Sequence, residues 1–177
     1  MQSTGEVIGI AADPRVAMAK ALTGASLVPP RVGEGEEAPV ALLSLADRDK
    51  WGLLRMAEAL LRGGYVLAAT PGTRSALAAA GIDALPVAKL GEAPVGDEEA
   101  ILEAIAGGRV RLVVNTPTPR SGAVRDAAEI RLATIAEGIL CLTAIETGIA
   151  AAEALEPSIF ADIALVRPIT EWVPPRG

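Results

Sequence analysis

The side chains of this sequence that could do chemistry are hydroxyls, an amide and cations that follow short apolar runs. The runs read VALLSL, YVLAAT, LPVAK and VRLVVN, and each is typical of a buried β-strand. The polar set at and after their ends comprises Ser44, Lys50, Thr70, Thr73, Lys89, Asn115, Thr116 and Arg120. Hydroxyl donors with Lys or Arg as countercharge are suited to an oxyanion, so the set predicts a site for a phosphate-type ligand.

Each of these residues also has a purely structural interpretation. Thr73 could cap the helix that follows it, and Lys50 could pair with Asp47 or Asp49 on the surface. The functional interpretation rests on the recurrence of such residues after four successive strands of an acidic protein. Ligands of open parallel sheets bind at the carboxyl ends of the strands, where these residues are predicted to meet.

Catalysis has weaker support in the sequence. The chain contains no histidine, which excludes histidine-based nucleophilic schemes and histidine general acid–base chemistry. No set of zinc ligands is present either. Asp97 and Asp126 are the candidate carboxylates, but Asp97 is placed to stabilise a helix N-terminus and Asp126 to lie on a solvated helix face. We therefore predict no catalytic residue and no metal site.

The composition predicts a cytoplasmic α/β protein of about one domain. Half of the 177 residues are apolar but only 2% are aromatic, so the core must be built from Ala, Leu, Ile and Val. The net charge of −6 argues against a general nucleic-acid surface. The single cysteine, Cys141, favours a reducing compartment, and no apolar run reaches the roughly 18 residues of a membrane span. We expect binding to neither nucleic acid nor membrane.

The pattern divides the chain into three parts. Residues 1–22 form a short stub, in which Asp13 and Pro14 predict the start of a helix. Residues 23–39 are rich in proline, glycine and charge, which is typical of a linker. Residues 40–177 alternate apolar runs with helical patterns, which predicts a three-layer α/β/α domain with a mainly parallel sheet.

The predicted sheet has five strands, with one further strand-like run near the end of the chain. Because the helix signals fall between the strands, the helices are expected to flank a parallel sheet. The predicted strands are 40–45, 65–70, 85–89, 110–115 and 139–143, with the further run at 162–166. The predicted helices start near 53, 74, 97, 122 and 145.

Five motifs, in order, resemble one family. LLSLADRDKWGLL, LAATPGTRSALAAAGI, LPVAKL, RLVVNTP and RDAAEIR are similar to the methylglyoxal synthase-like domain that closes the large subunit of carbamoyl phosphate synthetase. The upstream MQSTGEVIGI resembles the segment that joins the second ATP-grasp unit of that enzyme to this domain, so residues 1–22 would be the end of that unit. The resemblance covers about residues 1–155 and implies a Rossmann- or flavodoxin-like fold.

The resemblance implies an allosteric regulatory domain without activity of its own. Bacterial members bind nucleotide effectors such as UMP, an inhibitor, or IMP, an activator, and the polar set described above falls on the positions that hold the nucleotide. The implied partners are the rest of the large subunit, the small glutaminase subunit and further copies in a homo-oligomer. The parent enzyme uses ATP, glutamine and Mg²⁺ to make carbamoyl phosphate for pyrimidine and arginine biosynthesis, whereas this chain is expected to carry no cofactor.

Departures from the family pattern concern the ligands. Cys141 stands where many relatives carry an aromatic residue beside the threonine matched by Thr143, a pair that helps to bind ornithine, so a remnant of that site is expected. Pro117 replaces a frequent hydroxyl, and Trp51 replaces a smaller or more polar residue. The two ATP-grasp modules do not occur in these 177 residues, so we expect no carbamoyl phosphate synthesis by this chain alone.

Two other functions stay open. A methylglyoxal synthase-type lyase acting on dihydroxyacetone phosphate would use the same phosphate turn, with Asp97 near its expected base, but the absence of histidine disfavours it. A docking or dimerisation module with a decayed nucleotide site would fold well and would have no affinity for nucleotides.

Overall fold

A computed structural model describes residues 7–27, 37–117, 123–160, 163 and 168–172. This part of the chain contains one sheet of six parallel strands in the order β4-β3-β2-β1-β5-β6, which confirms the predicted α/β class. The strands are β1 (Val40–Ser44), β2 (Val66–Ala69), β3 (Leu85–Ala88), β4 (Glu99–Ala100), β5 (Val110–Asn115) and β6 (Leu140–Leu142).

Helices follow the strands and cover both faces of the sheet. A 3₁₀ helix, Asp47–Gly52, leads directly into the first helix after β1. The α-helices are α1 (Pro14–Gly24), α2 (Leu53–Arg62), α3 (Pro71–Ala78), α4 (Ile101–Ala106), α5 (Ala123–Ala136), α6 (Ile145–Ala154), α7 (Pro157–Phe160) and α8 (Ile169–Trp172).

The strand count is the main correction to the predicted fold. The prediction of five strands missed β4, which pairs with β3 and occupies the start of the helix predicted from Asp97. Two residues that include an exposed glutamate give no apolar run, so the pattern did not reveal this strand. The predicted run 162–166 lies outside the described residues except for Ile163, which lies in a turn.

Alternate residues of each strand enter two different apolar cores. Ala41 and Leu43 of β1 belong to the core formed with α1, α2 and α6. Leu42 of β1 and Val113 of β5 belong to the other core, which α4 and α5 complete. Because side chains of a strand alternate between faces, this division produces the three predicted layers.

The connections of the chain reverse direction between β1 and β5. From β1 the chain proceeds outward through β2, β3 and β4, and it then crosses back to β5 and β6 on the other side of β1. Ser44 and Asn115 are register partners at the carboxyl ends of the two neighbouring strands. A reversal of this kind opens a crevice at the carboxyl ends, and such crevices are the usual ligand sites of open α/β sheets.

Helix α1 packs against α6 and α7. Its N-terminus is capped as predicted, because the Asp13 carboxylate accepts a hydrogen bond of 2.8 Å from the backbone N–H of Arg15. Val16, Ala19 and Leu22 are buried in the same core as β1. The division into stub, linker and domain stays a prediction, but α1 shares its core with the main sheet.

Candidate functional site

A polar cavity of about 420 Å³ opens at the carboxyl ends of the strands, beside the reversal between β1 and β5. Its walls come from the ends of β1, β2, β3 and β5, from the 3₁₀ helix and from α5. Seven of the eight predicted site residues line it: Ser44, Lys50, Thr70, Thr73, Lys89, Asn115 and Thr116. The eighth predicted residue, Arg120, lies outside the described residues. The fold therefore brings together side chains that are up to 72 positions apart in the sequence, as between Ser44 and Thr116.

Two threonine hydroxyls of the cavity hold the turn that follows β1. The backbone N–H of Leu45 donates to Thr73 Oγ1 at 3.0 Å, and that of Ala46 donates to Thr116 Oγ1 at 2.9 Å. Each hydroxyl accepts one bond in this way and keeps its own proton as a donor. Thr73 and Thr116 therefore fix the entrance to the 3₁₀ helix and can also donate toward a ligand.

Thr70 occupies the N-cap position of α3, which was the structural role considered for Thr73. Its backbone carbonyl accepts hydrogen bonds from the N–H groups of Thr73 and Arg74, but its hydroxyl makes no capping hydrogen bond. Thr70 is 2% exposed and lines the cavity. The capping interpretation of Thr73 is thus wrong, because Thr73 uses its hydroxyl on the neighbouring turn.

The structural interpretation of Lys50 is confirmed in one of its two forms. Lys50 Nζ lies 2.7 Å from Asp47 Oδ1 within the 3₁₀ helix, whereas Asp49 lies near Arg48. Lys50 nevertheless lines the cavity, and a Cβ on Gly72 would lie 3.4 Å from its ammonium nitrogen. Gly72 thus leaves room for the Lys50 ammonium beside the first turn of α3. The ion pair and the cavity position occur together.

Carboxylates also line the cavity, and the sequence-based site contained none of them. Asp47 comes from the 3₁₀ helix, Glu92 from the loop after β3 and Asp126 from the first turn of α5. The lining side chains of the described residues therefore combine three carboxylates with two ammonium groups. The spacing of Asp47 and Lys50, three residues apart, was the one local signal of this arrangement.

Arg48 braces the cavity on the side of β5. Its guanidinium Nη2 donates to the carbonyl oxygen of Pro117 at 3.0 Å, which ties the 3₁₀ helix to the segment after β5. Pro117 itself lines the cavity. Pro117, which stands where the resemblance leads us to expect a hydroxyl, therefore contributes its backbone carbonyl to this contact and offers no side-chain donor.

The comparison with protein families agrees with the geometry. The model of the MGS-like domain matches residues 52–143, which is just over half of the chain. The chain belongs to the MGS-like domain family. Of the predicted site residues, Ser44 and Lys50 precede the matched region of the MGS-like domain, which contains Thr70, Thr73, Lys89, Asn115 and Thr116.

The residues discussed for ornithine lie elsewhere in the MGS-like domain. Cys141 and Thr143 are at β6, an outer strand of the described sheet, and neither is among the residues that line the cavity. Cys141 is half-buried against the α4–α5 core, and this burial raises the pKa of its thiol. Thr143 is exposed. A role of this pair in ornithine binding stays a prediction.

Asp97, the carboxylate considered for lyase chemistry, is exposed in the loop before β4 and is not among the residues that line the cavity. Within the described residues of the MGS-like domain, no cluster of three or more acidic or thiol side chains is arranged to hold a metal ion. In the same part of the chain, no helix is both long enough and apolar enough to cross a membrane.

Proposed function

We propose that this chain is a nucleotide-binding regulatory domain of the kind that closes the large subunit of carbamoyl phosphate synthetase. The observation that carries the proposal is the convergence on one cavity of seven side chains chosen for oxyanion recognition. The cavity volume of about 420 Å³ falls in the range of roughly 300–1,000 Å³ that is usual for small-molecule sites. UMP or IMP is the effector that the resemblance favours.

The proposed ligand places its phosphate among the hydroxyls and the two lysines. Lys50 and Lys89 supply positive charge from opposite sides of β2, and Thr70, Thr73 and Thr116 supply hydroxyl protons. Ser44 and Asn115 end the neighbouring strands β1 and β5 and are available to the ribose or the base. Arg120 would join this set, as the family motif implies.

Regulation in this proposal is a shift between two arrangements of the domain and the synthetase body. A nucleotide that binds one arrangement more tightly biases catalysis elsewhere, typically by about 1–3 kcal/mol of coupling free energy. The partners are the rest of the large subunit, the small glutaminase subunit and further copies of the domain, in the cytoplasm. The chain alone would bind its effector without regulating a reaction.

A docking or dimerisation module with a decayed site is the second candidate. The observation that favours it is the presence of Asp47, Glu92 and Asp126 in the cavity walls, because carboxylates repel a phosphate. This candidate predicts a folded protein without measurable affinity for nucleotides. The two candidates differ in whether the cavity binds a nucleotide, so a measurement of nucleotide binding decides between them.

The test is calorimetric titration of the full chain with UMP and, separately, with IMP, in a buffer low in phosphate. We expect saturable binding of one of them, and Lys50→Ala should weaken it about 10- to 100-fold through loss of a charge-assisted hydrogen bond. Lys20→Ala is the matched control, since it removes the same charge from α1, where Lys20 packs over the ring of Trp172.

Thermal unfolding should show that both lysine variants are folded before their affinities are compared. Equal loss of affinity in the two variants would mean that general charge, not the cavity, attracts the nucleotide. The absence of binding by a folded wild-type sample would bring the docking module forward.

A further inference from the structure

We infer that Asp47 is a built-in competitor of the phosphate for Lys50 and so sets the affinity of the cavity for its anionic ligand, an inference that rests on the proposed function. Both side chains line the cavity, and their ion pair of 2.7 Å joins two residues of one 3₁₀ helix. The Asp47 carboxylate is thus already paired with the Lys50 ammonium group, which the phosphate needs as its countercharge.

The geometry places the Lys50 ammonium between its carboxylate partner and the phosphate turn. Its side chain is 24% exposed, whereas that of Asp47 is 94% exposed. The ammonium also lies beside Gly72, in the turn that carries Thr70 and Thr73. A phosphate held by those hydroxyls would reach Lys50 from this side, and Asp47 would remain close to it on the other.

The charges give the direction of the effect. A phosphate monoester brings roughly −1.5 to −2 charges near neutral pH, and among the described residues the cavity walls already carry one more carboxylate than ammonium groups. Asp47 is the cavity carboxylate that forms an ion pair with a cavity lysine in the described part of the chain. Removing its charge should therefore tighten binding, and its exposure to solvent keeps the gain modest, at about 3- to 5-fold.

The choice of substitution separates competition from positioning. Asp47→Asn keeps a side-chain oxygen that can accept a hydrogen bond from Lys50, so the lysine stays in place while the negative charge disappears. Asp47→Ala removes the charge and the acceptor together. If Asp47 mainly positions Lys50, the alanine variant should bind nucleotide more weakly than wild type.

The control is Asp49→Asn, which removes one carboxylate charge from the same helix. Asp49 is not among the residues that line the cavity, and its carboxylate lies 3.5 Å from Arg48 Nε. A change in net charge alone would affect both variants equally, whereas competition for Lys50 concerns Asp47.

The experiment titrates the 177-residue wild-type chain, Asp47→Asn, Asp47→Ala and Asp49→Asn with the nucleotide, UMP or IMP, that wild type binds. We expect Asp47→Asn to bind about 3- to 5-fold more tightly, Asp49→Asn to stay within about twofold of wild type, and the difference to shrink as ionic strength rises. Unchanged or weaker binding by Asp47→Asn, or weaker binding by Asp47→Ala, overturns the competition while nucleotide binding by the wild type still stands. If no folded variant binds UMP or IMP, the proposed function fails and this inference fails with it.

Discussion

The two ends of the parallel sheet treat buried polar groups in opposite ways. At the carboxyl ends, Thr70, Thr73, Asn115 and Thr116 are all at most 5% exposed, and two of their hydroxyls accept bonds from the turn after β1. At the amino ends, β1, β2, β3 and β5 begin with apolar residues, and the buried hydroxyl of Tyr65, just before β2, has no hydrogen-bond partner among the described residues.

The cavities at the two ends differ in the same way. The carboxyl end has the polar cavity of about 420 Å³. The amino end has a cavity of about 110 Å³ that is lined mostly by apolar residues such as Val40, Leu85 and Val110. A buried polar group without a partner costs about 1–3 kcal/mol, so polar side chains are retained where they make bonds or meet a ligand. The contrast supports the proposal that polarity at the carboxyl end serves recognition as well as folding.

The most severe way to break this contrast is to place a carboxylate inside the apolar part of β5. Val113→Asp should destabilise the domain by about 4 kcal/mol or more, because Val113 is fully buried and an unpaired charge there has no compensation. Asn115→Asp is the matched variant, since it places the same carboxylate two residues later on the same strand, at the polar cavity. Urea unfolding should show a much smaller loss for Asn115→Asp, and equal losses would contradict the contrast between the ends.

The protein should lose stability at alkaline pH, because Tyr65 is buried in apolar surroundings at the amino end of the sheet. Burial raises the pKa of Tyr65 to about 12 from an ordinary value near 10, so the folded state holds the phenol proton more tightly than the unfolded state. The stability that this contributes is complete below pH 10 and is lost as pH rises from 10 to 12, by about 2–3 kcal/mol in total.

The control for the alkaline experiment is Tyr65→Phe, which should remove this component of the pH dependence. At neutral pH the same variant should be as stable as wild type or more stable by up to about 1 kcal/mol, since the hydroxyl has no partner among the described residues to lose. Tyr65 is the one tyrosine of the chain, so tyrosinate absorbance reports its titration directly. A tyrosine that titrates near pH 10 in the folded protein would show that the ring is hydrated.

Removing a buried hydroxyl at the carboxyl end should lower the free energy of unfolding, whereas removing the Tyr65 hydroxyl at the amino end should not. Thr73→Val deletes the acceptor of the Leu45 N–H at a site that is 0% exposed, so we expect a loss of about 1–2 kcal/mol in the free energy of unfolding. Thr73→Ser keeps the hydroxyl and should lose less. Chemical denaturation compares the two, and a valine variant as stable as the serine variant would refute the role of this bond.

Removing a surface ion pair should have the smallest effect on the free energy of unfolding. Arg55 of α2 pairs with Glu153 of α6, and the arginine side chain is 67% exposed. Arg55→Ala should change the free energy of unfolding by only about 0.2–1 kcal/mol, and added salt should reduce the difference. A loss as large as that of Thr73→Val would mean that the surface contributes as much as the buried polar end.

Much of the fold could be predicted because apolar runs mark buried strands. β1, β2, β3, β5 and β6 coincide with the runs to within two residues at each end. β4 could not be predicted, since a strand of two residues depends on its neighbour β3 and not on its own pattern. The 3₁₀ helix was likewise missed, because its polar sequence is typical of a turn.

The candidate site was predictable to the extent that topology alone positions it. The carboxyl ends of parallel strands meet at one edge, so Ser44 and Asn115 could be grouped without knowing any contact. The hydrogen bonds of Thr73 and Thr116 join residues 28 and 70 positions apart, which no local pattern can specify. Glu92 reaches the cavity only through the path of a loop, so its position there could not be predicted. Asp47 and Asp126 were considered from the sequence but were assigned to the surface, because their patterns give no sign that they face the same cavity.

Helix α1 has a consequence for anyone who wishes to transplant this domain. The segment before it passes so close to the helix that a side chain on Gly9 would collide with the carbonyl of Ala17. Leu22 and Leu27 then cover apolar surface together with α6. A fusion protein cut at Val40 would leave that surface bare, and exposed apolar patches promote aggregation. A fragment of this protein intended for fusion should therefore include helix α1.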